Sequence, residues 1–237
     1  MKFFDFRQTA YSLISGLMLF LTAWSCGSSD TKTESKTGSD TAEARASRPA
    51  TTAKKPIVLF YGNSLTAGYG VEPAQAFPAL VGQKIDSAGL NYQVVNAGLS
   101  GETTAGGKSR ISWVMRQPVA VFVLELGGND GLRGIPLKST RENLQAIIDT
   151  VRAKSPQATL VLAGMQIPPN MGTDYTREFK GLFKELADKN KLVLIPFLLE
   201  GVGGIPKLNQ PDGIHPTPEG HKIVAETVWN VLRPVLK

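Results

Sequence analysis

Reactive side chains are scarce in this chain: 237 residues include one cysteine and two histidines. A single cysteine, Cys26, excludes an intrachain disulfide and the cysteine-rich zinc sites. Charged residues make up 19% and form no long block of one sign, so the net charge of +6 is spread out. Aromatics reach only 8% and are not interleaved with a basic stripe, which argues against nucleic-acid binding. The longest apolar run near the start, Leu13–Trp24, is too short to span a bilayer comfortably.

That run has the character of an export signal. Lys2 and Arg7 form a basic lead, diluted by Asp5, and the run itself is the apolar h-region of a signal peptide over residues 1–25. Cys26 follows Ala23-Trp24-Ser25. A cysteine so placed resembles a bacterial lipobox, although Trp24 stands where small residues are usual; the alternative is an incidental cysteine in an ordinary signal peptide or uncleaved anchor. Residues 26–55 are rich in Ser, Thr, Ala and Lys, with almost no large apolar side chain. Such a segment cannot offset its ordering entropy by burial, so it is expected to be a disordered tether, lipidated at Cys26. The expected product is exported to a bacterial cell envelope, membrane-anchored or periplasmic, with the folded domain over 56–237. Removal of residues 1–25 leaves 24 basic and 19 acidic residues, a net +5.

From Pro56 onward, short apolar runs alternate with amphipathic segments. The runs are Ile57–Tyr61, Tyr92–Val95, Val119–Leu126, Thr159–Ala163 and Leu192–Pro196. They are continuous rather than alternating, as strands buried on both faces require. Ser139 and Glu142 have capping-box spacing ahead of Leu144, Ile147, Ile148 and Val151. Phe179, Leu182, Phe183 and Leu186 define a second helix; Thr217-Pro218 begins a third, carrying Ile223, Val224, Val228, Val231 and Leu232. Strand-helix alternation predicts a three-layer α/β/α sandwich on a five-stranded parallel sheet.

Ligands of such sheets bind beyond the carboxyl ends of the strands. The segments there include Gly62-Asn63-Ser64-Leu65-Thr66, Asn96-Ala97-Gly98, Gly127-Gly128-Asn129-Asp130 and, later, Asp212-Gly213-Ile214-His215. A serine hydroxyl needs a base to become a nucleophile. Of the two histidines, His215 has an acid, Asp212, three residues before it on one loop, spaced to hold the far imidazole nitrogen. His221 lies in the last helix without such an acid and is assigned to surface or packing. Donors for an oxyanion are the backbone N–H groups of Ser64 and Gly98 and the amide of Asn129.

These ordered blocks, together with Thr66-Ala67-Gly68-Tyr69-Gly70, Leu124–Gly134 and Ala163–Pro169, resemble the SGNH (GDSL) hydrolases, and among them the thioesterase I and lysophospholipase L1-type arylesterases. The resemblance covers about residues 56–237. It implies a flavodoxin-like strand order, no metal and no cofactor. It further implies Ser64 as nucleophile, His215 as base, Asp212 as its orienter, and Gly98 and Asn129 as oxyanion donors. The sequence departs from the family at Asn63, where aspartate is usual. Asparagine keeps the shape and one acceptor oxygen but loses a charge.

Other readings of the motifs fail on spacing. The nucleophile elbow Gly-x-Ser-x-Gly of α/β-hydrolases does not fit Ser64-Leu65-Thr66. A P-loop ending at Gly107-Lys108-Ser109 puts Glu102 where its first glycine belongs. The apolar residues Leu132, Ile135, Ile167 and Phe197 lie beyond the strands and suit the acyl or aryl part of a small ester. Two alternatives stay open: a carbohydrate O-acetyl esterase, for which only Trp113 is an unassigned platform, and an inactive ligand-binding lipoprotein using the same cleft.

Overall fold

The structure, a computed structural model, describes residues 54–237. The signal peptide, the lipidation at Cys26 and all of the tether but Lys54 and Lys55 lie outside the described residues. Among those residues no helix is long and apolar enough to cross a membrane.

Five parallel strands form one sheet: β1 (Ile57–Gly62), β2 (Gln93–Asn96), β3 (Val121–Glu125), β4 (Thr159–Ala163) and β5 (Val193–Ile195). Their order is β2-β1-β3-β4-β5, the flavodoxin-like arrangement. Every residue of β1 and β3 is buried, which is why both read as unbroken apolar runs. The expectation of two-faced burial fails for β2, whose residues are exposed or half-buried. Among the described residues this strand pairs only with β1, and its sequence is correspondingly polar at Gln93 and Asn96.

The larger helices are α2 (Phe77–Ser87), α3 (Thr104–Val114), α5 (Leu137–Lys154), α6 (Thr173–Asn190) and α7 (Pro218–Leu232); α1 (Ser64–Ala67) and α4 (Gly128–Leu132) are single turns. Helix α2 packs against α7, while α3, α5 and α6 pack in a row. The core lies between these layers and the sheet, with Phe77, Val81, Val224 and Val228 in one layer and Ile111, Ile147, Phe179 and Phe183 in the other.

Helix α7 begins as its sequence predicts, with Thr217 capping through a bond from the Gly220 N–H. Helix α5 does not. Its N-cap is Pro136 and no side chain caps it, so Ser139 and Glu142 sit inside the first turns rather than forming a capping box. The apolar stripe Leu144, Ile147, Ile148 and Val151 is buried regardless, because packing outweighs the cap. Helices α2 and α3 carried no expected pattern. In α3, Gly106 and Gly107 dilute the periodicity, yet a Cβ on Gly107 would stand 2.4 Å from Leu126 Cδ1. The glycine lets α3 approach the sheet, where Tyr61 donates its hydroxyl proton to the Gly107 carbonyl at 2.6 Å.

The connections leave β1 toward β2 on one side and return to β3 on the other. The resulting switch point lies at the carboxyl ends of β1 and β3, where such sheets bind ligands. Ser64 follows β1 and Asn129 follows β3.

Candidate active site

Ser64 is the first residue of α1, directly after β1. Asn63 caps that turn, its Oδ1 accepting from the Leu65 N–H at 2.9 Å. The hydroxyl is therefore held at a helix start, where the first backbone N–H groups lack intrahelical acceptors.

His215 reaches Ser64 from a loop 151 residues away in sequence. The loop is closed by the bridge between Asn209 and Pro216 and by the Gln210 N–H donating to the His215 carbonyl at 2.7 Å. Within it, Asp212 Oδ1 accepts the backbone N–H groups of Ile214 and His215, each at 3.0 Å. Asp212 Oδ2 lies 2.7 Å from His215 Nδ1, and His215 Nε2 lies 2.8 Å from Ser64 Oγ. Burial pushes the Asp212 carboxyl upward, but the Ile214 and His215 hydrogen bonds overcome it and hold it below the usual range. An ionised Asp212 favours the tautomer with hydrogen on Nδ1, which leaves Nε2 an acceptor facing the Ser64 hydroxyl.

Asn129 lies one turn of chain beyond β3. Its Nδ2 donates to the Glu102 carbonyl at 2.9 Å, which fixes the amide and leaves its second hydrogen for a ligand. Gly98 is a correction to the sequence reading. Its N–H is engaged by Asn96 Oδ1 at 2.9 Å, and a Cβ there would sit 2.2 Å from the Ala67 nitrogen. This glycine is required for close backbone approach, with no free donor to offer. Gly101, three residues on, has φ +79°. Its carbonyl accepts from Arg133 at 3.2 Å, the next carbonyl is the one that holds Asn129, and its own N–H has no hydrogen-bond partner among the described residues.

A cavity of about 380 Å³ opens beside Ser64 and His215. Leu132, Met165, Ile167, Phe197 and Leu199 line it, and His215 is its sole ionisable lining group. Ile135, expected with them, is not in the lining; its carbonyl accepts the Tyr175 hydroxyl at 2.8 Å. The Tyr69 ring packs against the His215 imidazole and is not among the residues that line the cavity. Trp113 is exposed on α3 with Arg116 over its ring at 4.7 Å, and it does not line the cavity.

The GDSL-like lipase/acylhydrolase family pattern matches residues 60–223, most of the described chain. The chain belongs to that family. It is an enzyme of the carboxylic ester hydrolase class. The hydrolase is 39% identical over 180 residues to the esterase TesA of Pseudomonas aeruginosa, covering 76% of this chain and 89% of that one. It is 36% identical over 180 residues to thioesterase 1/protease 1/lysophospholipase L1 of Escherichia coli K12, covering 76% and 84%. A crystal structure of TesA superposes with a TM-score of 0.73 at 39% identity, covering 76% of this chain and 99% of that one.

Three features of the hydrolase's site carried no local signal. Glu125 lies within an apolar run and reads as strand filler, yet it is buried under the turn that carries Ser64. Tyr69 was part of a motif without a role. Gly101 stands in one loop with Gly98, and only the hydrogen-bond pattern separates the two.

Proposed function

We propose that the hydrolase cleaves carboxylic esters through an acyl-enzyme on Ser64, with His215 as general base and acid and Asp212 as its orienter. The supporting observation is the continuous hydrogen-bond chain from Asp212 through His215 to Ser64 at the mouth of an apolar cavity. Ser64 Oγ attacks the ester carbonyl as its proton passes to His215 Nε2. The negative charge on the carbonyl oxygen is met by the Ser64 N–H, Asn129 Nδ2 and the Gly101 N–H, which takes the part expected of Gly98. Collapse of the intermediate breaks the bond to the leaving alcohol, which takes the proton from His215. Water then attacks the acyl-enzyme with His215 again as base, releasing the acid and restoring Ser64.

The acyl group favoured by this reading is uncharged and apolar. A cavity lined by Leu132, Ile167 and Phe197 offers no cation to a charged acyl chain. Thioesters and lysophospholipids share that acyl chemistry and are further substrates on this reading. The carbohydrate alternative has less support, because Trp113 is capped by Arg116 and stands apart from the cavity.

Export and anchoring are proposed on the sequence of residues 1–55 alone. The proposed product is a membrane-bound lipoprotein held through Cys26, with residues 26–55 as tether and 56–237 as catalytic domain. Cys26→Ala is expected to move the enzyme from the membrane to the soluble fraction; an unchanged distribution would refute the anchor.

The test of the catalytic reading is p-nitrophenyl acetate hydrolysis together with covalent labelling by a fluorophosphonate. Wild type should be labelled on Ser64 and Ser64→Ala should lose both label and turnover. Equal turnover in the two proteins would sink the reading.

A further inference from the structure

Three donors converge on one carboxyl beneath the nucleophile. Gly62 and Glu125 are partners across the β1–β3 ladder, so the Glu125 side chain lies under the turn into α1. Its Oε2 accepts the Asn63 backbone N–H at 3.1 Å and the Thr66 hydroxyl at 2.8 Å. Its Oε1 accepts the Asn63 side-chain amide at 2.8 Å. The residue is 1% exposed, and none of the ion pairs among the described residues involves it. The nearby guanidinium of Arg110 is held by Glu102 and donates to the Ala97 carbonyl.

We propose that Glu125 is a positioning residue for the nucleophile, fixing which end of the Asn63 amide faces Ser64. This rests on the reading of Ser64 as nucleophile.

A buried carboxyl without a cation is costly and persists only where its acceptors are filled. Here every partner is a donor, and an ionised carboxylate is the one side chain of this size that accepts at both atoms. Glu125 therefore draws the Asn63 NH₂ toward itself. The other end, Oδ1, is thereby turned to the Leu65 N–H at 2.9 Å and to Ser64 Oγ at 3.4 Å. Were the amide reversed, its NH₂ would face the Leu65 N–H, donor against donor, and the turn bearing Ser64 would shift. Gly62 carries the same signature: a Cβ there would stand 2.5 Å from Glu125 Oε2 and 2.2 Å from Thr66 Oγ1. The strand ends in glycine because the carboxyl and the hydroxyl occupy that space. Burial pushes the Glu125 carboxyl up to about 7, against the opposing hydrogen bonds from Thr66 and Asn63; no charged neighbour contributes.

The decisive experiment is a reciprocal exchange. Glu125→Gln leaves one acceptor for these donors: with its oxygen on the Asn63 N–H and Thr66, its NH₂ meets the Asn63 NH₂. The double variant Asn63→Asp/Glu125→Gln restores a donor–acceptor pair with its direction reversed, while the new amide oxygen still accepts from the position-63 N–H and from Thr66. For Glu125→Gln, kcat and the rate of fluorophosphonate inactivation should fall about ten- to hundredfold, with KM within about twofold. The double variant should recover to within about threefold of wild type. A single variant at the wild-type rate, or a folded double variant no better than the single, overturns the proposal.

Should Glu125→Gln fail to fold, Thr66→Val removes one of the three donors without touching position 125. It should lower kcat about three- to tenfold at constant KM; an unchanged kcat overturns the proposal. Wild type labelled on Ser64 with all variants at the wild-type rate would defeat only the role of Glu125. Wild type not labelled on Ser64 would defeat the catalytic reading as well.

Discussion

The Tyr69 ring lies against the His215 imidazole, with centroids 4.7 Å apart and planes tilted by 43°. Tyr69 is 52% exposed and does not line the cavity beside Ser64. In the proposed mechanism His215 returns its proton to the leaving alcohol, so that alcohol must sit beside His215. Tyr69 is an exposed aromatic ring already in contact with that imidazole.

An aromatic leaving group would therefore stack on Tyr69, whereas a short alkyl one would not. Aromatic pairs are worth about 0.5–1.5 kcal/mol beyond their area. Tyr69→Ala should lower kcat/KM for a phenyl ester by about two- to tenfold more than for the ethyl ester of the same acid. Equal losses on both esters would remove Tyr69 from leaving-group recognition.

Asn129 offers a more direct test of charge stabilisation. Its amide is anchored by the Glu102 carbonyl, so the remaining hydrogen is preorganised and costs little to orient at the moment of reaction. Asn129→Ala should reduce kcat by about 10²–10³ with little change in KM. A loss appearing mainly in KM would mean that Asn129 binds ground-state substrate instead.

Much of this arrangement was readable from the chain, and the exceptions share a physical cause. Strands β1 and β3 are legible because burial on both faces keeps their runs almost wholly apolar. The one ionisable carboxyl there, Glu125, carries no local signal because its partners Asn63 and Thr66 lie 62 and 59 residues away. Asp212 and His215 were legible as a pair since three residues of one loop bring them together. Gly98 was misjudged because a glycine marks close approach without saying to what: here to Ala67. Helix α3 went unseen because Gly107 trades helical propensity for contact with Leu126 and Tyr61.

That account of Gly98 has its own consequence. A methyl at this position would meet backbone, 2.2 Å from the Ala67 nitrogen, and backbone cannot rotate aside as a side chain does. Gly98→Ala should lower stability by about 1–3 kcal/mol, read as a reduced urea midpoint at unchanged m-value. Activity should fall as well, since Ala67 ends the turn that carries Ser64. A variant with wild-type stability would overturn the account of Gly98 as a position of close backbone approach.

The second histidine makes the last prediction. His221 is buried in α7, where its Nδ1 accepts the Phe77 N–H at 3.2 Å and its ring stacks on Phe77. The bond ties α7 to the first residue of α2, and it requires a neutral Nδ1. Burial, helped by the charge of His215, pushes the imidazole down to about 4 from 6.5. Unfolded chain thus binds the proton more readily than folded chain between these values. The stability from neutral His221 is complete above pH 6.5 and is lost as pH falls through about 4. Across that window the contribution changes by at most about 1.4 kcal/mol per pH unit. His221→Gln keeps a possible acceptor but does not titrate. Urea unfolding at pH 7 and pH 5 should show a smaller acid-side loss for His221→Gln than for wild type. Identical losses would mean that carboxylates alone set the acid limit of the fold.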